Sequence, residues 1–177
     1  MTKREVIENL ELHPLEIEGG FFREVYRSRT PVEITAPDGE KNAYAASTSI
    51  YYLLGCGDVS SMHSVKFDET WHFYASSDTG IFVDLIVVSP AGTGRRVKLG
   101  ARLELGQIPQ FTVPAGHWMG ARIDSAEGAG HLENNGAWAL CGATVAPSFE
   151  YSDFIKGNAF EIAKLCPEFA AEILKLK

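Results

Sequence analysis

Short runs of β-branched, aromatic and aliphatic residues recur along this chain, each bounded by glycine or proline, and this pattern predicts strands over most of its length. Residues 21–27 alternate, with Phe21, Arg23, Val25 and Arg27 on one face and Phe22, Glu24 and Tyr26 on the other. Residues 47–54 are too few for a good globular helix and stop at Gly55 and Gly57, so they read as a central strand. Further strands are expected over 69–74, 80–88, 96–100, 111–114 and 138–145, separated by turns at Gly92, Gly94, Gly106 and Pro109. A regular series of this kind is the signature of a sandwich or barrel.

The two ends follow a different period. Val6, Ile7 and Leu10 recur at helical spacing within residues 3–12, and Thr2 with Glu5 three positions on resembles a capping box. Residues 159–165 and 168–175 also have helical period, with Pro167 suited to a first turn; both pieces are expected to pack outside the sheet. Pro37-Asp38-Gly39 predicts a turn within residues 31–42. The glycine-rich segment 124–136, carrying His131, reads as an exposed loop able to cover a barrel mouth.

The chain is 177 residues long, enough to bury a core without disulfides or structural metal. Its formal charge of -7 gives a field that repels phosphate backbones and anionic surfaces, so neither nucleic acid nor membrane is an expected partner. Arg95, Arg96 and Lys98 form a compact basic cluster best explained as a solvated strand end. Cys56, Cys141 and Cys166 lack C-x-x-C spacing and an even count, which predicts reduced core thiols. The opening residues have no long apolar run, so a cytoplasmic location is expected.

Chemistry-bearing residues concentrate in residues 57–74. His63, Glu69 and His72 could bind a divalent metal ion, the candidate cofactor, with a position left open to water or substrate. Against this, Glu69 and His72 face opposite sides of any continuous strand, and His72 is equally explained as a hydrogen-bonded histidine among aromatic residues. In residues 109–122, Pro114-Ala115-Gly116 makes a tight turn that brings His117, Trp118 and Met119 near a cavity. Trp71, Trp118 and Trp138 fill core volume or, alternatively, wall a flat or sugar-like ligand, with Ser61, Gln110 and Arg122 as polar contacts. Arg23 and Glu24 are either a structural ion pair or anchors inside the pocket.

Gly57 followed by His63, then Glu69 and Pro114-x-Gly116, resembles the two linked motifs of the cupin superfamily. The closer resemblance is to the cupin-type family of undefined function. It rests on residues 18–24, His63, residues 68–74, Pro109-Gln110, residues 113–116 and residues 142–154. The resemblance implies an all-β, double-stranded β-helix, or jelly roll, with short terminal helices. It also implies one domain over residues 1–177, with the core barrel at about 20–154 and helices over 155–177, commonly assembled as a homodimer. Carried over residue by residue, the cupin metal positions fall on His63, Val65, Glu69 and Met119, so two of the four ligands are missing.

Three readings follow. In the first, the barrel binds a small polar or sugar-like molecule through Arg23, Ser61, Trp71, Gln110, His117 and Trp118. In the second, a metal-independent epimerase or isomerase like the deoxysugar epimerases uses His63 as base, a carboxylate (Asp68 or Glu69) to orient it, and Tyr74 or Tyr151 as proton donor. In the third, a metal-dependent enzyme uses His63, Glu69 and His72.

Overall fold

The computed structural model describes residues 1–35, 41–126 and 136–177. The turn expected at Pro37-Asp38-Gly39 and most of the loop bearing His131 lie outside the described residues.

Helix α1, Lys3–Leu10, begins with the expected capping box: the Thr2 hydroxyl accepts from the Glu5 amide and the Glu5 carboxylate accepts from the Thr2 amide. Strands follow in the order β1 His13–Pro14, β2 Phe21–Arg27, β3 Pro31–Thr35, β4 Lys41–Ala45, β5 Thr48–Gly55, β6 Ser60–Val65 and β7 Glu69–Ser76. Then come β8 Ile81–Val88, β9 Gly94–Leu99, β10 Gln110–Val113, β11 Trp118–Ser125, β12 Trp138–Val145 and β13 Phe154–Lys156. The chain ends in α2, Ala159–Leu165, a 3-10 turn at Pro167–Phe169, and α3, Ala170–Ile173.

Two antiparallel sheets face each other as a jelly roll. One has the order β1-β2-β5-β12-β7-β10 and the other β13-β6-β11-β8-β9, while β3 and β4 pair separately. From β5 onward consecutive strands fall on opposite sheets, except for the β8–β9 hairpin within one sheet, and this alternation closes the barrel. Phe154–Lys156 corrects one expectation: these residues are a strand on β6, not the start of the terminal helices, because the edge of β6 needs a partner for its amides.

β8 is buried along all eight residues, and its position explains why its sequence is a continuous apolar run. Ile81, Val83, Leu85 and Val87 enter the core between the sheets, whereas Ile86 and Val88 are covered outside by Ile162, Ile173 and Leu176 of the C-terminal segment. Each such side chain contributes about 1.5–3 kcal/mol on burial. Asp84, the polar exception, is buried against Arg96, whose Nε and Nη2 donate to its two oxygens at 2.6 and 3.0 Å. Arg96 is therefore a structural partner rather than part of a free basic patch.

Of the three thiols, Cys141 and Cys166 are buried and Cys56 is exposed, so the expected core role holds for two of them. Burial alone pushes the Cys141 thiol up to about 12, which makes it inert.

Candidate functional site

Side chains on the inner face of the six-stranded sheet form rows across its strands. One row runs Phe22–Tyr52–Cys141–Phe73, the next Glu24–Ile50–Ala143–Trp71, and the third Arg27–Thr48–Val145–Glu69. Simple alternation along β2 would put Arg27 on the outer face with Arg23. A register shift between Glu24 and Tyr26 resets the parity and brings Arg27 round beside Glu24.

Between this face and β6 lies a cavity of about 90 Å³, bordered by Glu18, Tyr52, His63, Glu69 and Trp71, with Arg27, Glu150 and Tyr151 also on its wall. His63 is supplied by the opposite sheet, where it pairs with Met119 on β11 and Lys156 on β13. Its ring stacks on Phe154 at a centroid distance of 5.0 Å. Nδ1 lies 2.8 Å from the Ser61 carbonyl oxygen, and because a carbonyl only accepts, Nδ1 carries the proton. Nε2 is then the ring atom free for other work, 3.8 Å from Glu18 Oε2.

Glu18 sits just before the Gly19-Gly20 turn. The turn needs positive φ at both glycines, and a Cβ on Gly19 would lie 2.1 Å from the Val59 carbonyl oxygen. The Gly19 carbonyl accepts from the Tyr52 hydroxyl at 3.0 Å, and the Glu18 carboxylate accepts from the Ser60 hydroxyl. Burial, reinforced by the Glu18 charge, holds the Tyr52 phenol well above its ordinary value, so it remains a donor.

Glu69 is the most perturbed carboxyl in the cavity. Burial raises it to about 7, opposed by the attraction of His63 and assisted by repulsion from Glu18. The Trp71 indole, two residues along the same face, favours the charged form of Glu69, yet its N–H completes no hydrogen bond although it is buried. A buried donor without an acceptor costs about 1–3 kcal/mol. At the rim, Arg27 donates to both oxygens of Glu24 at 3.0 and 2.9 Å and to Glu150 at 2.7 Å.

A family model described as Cupin superfamily (DUF985) matches residues 4–156. The chain belongs to this cupin family. It is 31% identical to a hypothetical protein from Leishmania major, with a TM-score of 0.79 and coverage of 99% of this chain and 98% of that one. It is 30% identical to protein SO0799 from Shewanella oneidensis, with a TM-score of 0.78 and coverage of 100% and 98%. An uncharacterized protein of Saccharomyces cerevisiae is 27% identical over 88% of this chain and 77% of its own length. Oxalate decarboxylase from Bacillus subtilis shares the fold at 18% identity and a TM-score of 0.50, and the chain spans 38% of its length.

Against this cupin geometry, the residues expected at the site divide into two groups. His63, Glu69 and Trp71 come together on the cavity wall. His72, Gln110 and Arg23 do not: they share one outer row, Gln110–His72–Gly142–Tyr51–Arg23, across the same sheet. The reason is parity, since His72, Gln110 and Arg23 each lie one residue from an inward-facing neighbour, Trp71, Phe111 and Phe22, along their strands. His72 Nε2 meets the Thr144 hydroxyl at 3.1 Å, and Arg23 pairs with Glu11 at 2.6 Å.

Trp118 packs outside the barrel against the C-terminal helical cluster, and His117 Nδ1 lies 3.4 Å from the Ala115 carbonyl oxygen in the turn. Ser61 contributes its carbonyl to His63. Of the tyrosines expected to return a proton, Tyr151 borders the cavity, while Tyr74 stacks with His72 on the outer face. Asp68 accepts from the Ala115 amide and does not orient His63.

The metal set does not fit. Val65 and Met119 stand at two of the four cupin ligand positions and His72 faces away, so of the expected set only His63, through Nε2, and Glu69 reach the cavity. Among the described residues no group of three His, Cys, Asp or Glu side chains is arranged to hold a metal ion. Sequence reasoning missed Glu18, Tyr52 and Arg27 as cavity residues. Only the Glu18-Gly19-Gly20 turn carried a signal for the first.

Proposed function

We propose that the barrel cavity binds a small polar molecule, with Trp71, Glu69, Glu18 and His63 as its polar contacts. The observation that carries this reading is the buried Trp71 N–H, which completes no hydrogen bond although the Glu69 carboxyl, destabilised by burial, lies close enough to feel it. A stable core seldom retains such a pair unless a guest completes it. A volume of about 90 Å³ is several times the ~10–15 Å³ that one water needs, so the cavity has room for more than a single solvent molecule.

The test is native mass spectrometry of untagged protein, before and after mild denaturation and refolding. A co-purified small molecule that is lost on denaturation is the expected result. Protein that carries no guest as isolated, and that takes up none from a broad metabolite extract, would refute the reading.

A second reading has a specific observation in its favour. A carboxyl held at about 7 beside a histidine with a free Nε2 suits proton transfer next to a carbonyl. Glu69 and His63 would then exchange protons with a bound keto compound, with Tyr151 at the rim as the available phenol. Incubation of keto sugars in heavy water checks this: deuterium should enter the carbon next to the carbonyl with the native protein and not with Glu69→Gln. Absence of exchange across the series rules it out.

A further inference from the structure

The charge of the cavity wall narrows the class of guest, on the premise that the cavity is a binding site. Four carboxylates, Glu18, Glu24, Glu69 and Glu150, border it against one guanidinium, Arg27. Arg27 is already engaged by Glu24 and Glu150 at 2.7–3.0 Å in the rim cluster, three hydrogen bonds that leave it little capacity for an anionic ligand. Among the described residues on the cavity wall, the deeper acidic side chains, Glu18 and Glu69, have no lysine or arginine beside them, and their basic neighbour is His63. Phosphate-bearing or carboxylate-bearing compounds would enter against this field.

Aromatic rings supply the second element. Trp71 and Tyr52 meet edge to face with centroids 5.6 Å apart on the wall, and Phe22, Phe149 and Phe154 also border the space. Ring faces together with carboxylates are the pattern that recognises ammonium groups, because the ring quadrupole and the carboxylate both attract positive charge. The third element has the opposite demand. The Trp71 N–H, on a residue only 1% exposed, needs an acceptor that a bare ammonium group does not offer.

We infer that the cavity takes a small organic cation that also carries a hydroxyl or carbonyl oxygen: an amino alcohol, amino sugar or related amine. The ammonium end lies between Glu18 and Glu69 against the aromatic faces, and the oxygen accepts from Trp71.

Isothermal titration with three probes isolates each element. Choline carries both the charge and the hydroxyl, 3,3-dimethylbutan-1-ol is its uncharged isostere, and tetramethylammonium keeps the charge without the hydroxyl. Choline should bind at least about tenfold more tightly than either. Glu69→Gln, which keeps the side-chain shape, should weaken choline about tenfold while leaving the neutral alcohol unchanged. Trp71→Phe should erase the advantage of choline over tetramethylammonium; thermal melting confirms that each variant is folded.

Equal or tighter binding of the neutral alcohol overturns the cation assignment and leaves the cavity as a binding site. Preferential binding of glycerol phosphate, run as the anionic control, overturns it as well. So does the absence of heat with every probe, while the broader reading is decided separately by the co-purification experiment.

Discussion

Replacing Glu69 by glutamine tests the electrostatics of the cavity without changing its shape. In the unfolded chain this carboxyl titrates near 4.5, and in the folded protein burial lifts it to about 7. Between those values the folded state holds a proton that the unfolded state has lost. The contribution of Glu69 to stability is thus fully present below pH 4.5, declines as pH rises, and is gone above pH 7. A difference of about 2.5 pH units at 1.36 kcal/mol each amounts to about 3 kcal/mol. Glutamine does not titrate, so the variant should lack this slope. Urea unfolding of both proteins at half-unit steps from pH 4.5 to 8 gives the difference directly. Other carboxylates titrate in both proteins and largely cancel. The native protein should lose about 3 kcal/mol relative to the variant over the range. Parallel stability profiles would mean that Glu69 is well solvated or paired, and the account of Glu69 as a carboxyl desolvated by burial in the cavity wall would fail with them.

Gly19→Ala should destabilise by at least about 3 kcal/mol in chemical denaturation, since φ of +111° is unfavourable for alanine and its Cβ would sit 2.1 Å from the Val59 carbonyl oxygen; a neutral result would show that the turn can open freely. Arg96→Met should cost about 3 kcal/mol at pH 7 by leaving the buried Asp84 unpaired, and the added replacement Asp84→Leu should recover most of that loss; lack of recovery would point to packing rather than charge. Leu85→Ala, which empties a fully buried core position, should cost about 2–5 kcal/mol by urea titration, and a cost below 1 kcal/mol would mean the core is loosely packed. Gly94→Val should loosen the C-terminal helices, because a Cβ there meets Phe169 at 2.3 Å and Cys166 at 2.6 Å; amide exchange of residues 159–176 should accelerate, and unchanged protection would contradict the packing.

Most of the strands were legible because their apolar runs and turn residues are local, but β11 was not, since Gly120, Arg122 and Asp124 break its apolar run and residues 124–125, expected in the loop, are held extended by pairing with β8. Phe21–Arg27 and Trp138–Val145 end where the alternation and its glycines place them. β13 was not legible: three residues after a 3-10 turn carry no period, and their extended form comes from pairing with β6, nearly a hundred residues earlier. The site shows the same division. Glu69 and Trp71 share a face under the two-residue rule, and that rule also puts His72 outside, so this part could be read from spacing alone. Arg27 could not, because a register shift that no composition signals moves it from the outer face to the inner one. Tyr52 and Glu18 reach the cavity only through contacts between distant segments, the hydroxyl of one on the turn that follows the other.

Met62 has its amide bonded to the Leu176 carbonyl and its own carbonyl bonded to the Gly157 amide, at 2.9 and 2.7 Å. The residue that follows it is His63. The strand bearing the imidazole is therefore completed by residues that lie about a hundred positions downstream, and its assembly waits on the closure of very long loops. After dilution from denaturant, protection of the Met62 and Gly157 amides should then lag behind recovery of bulk β structure.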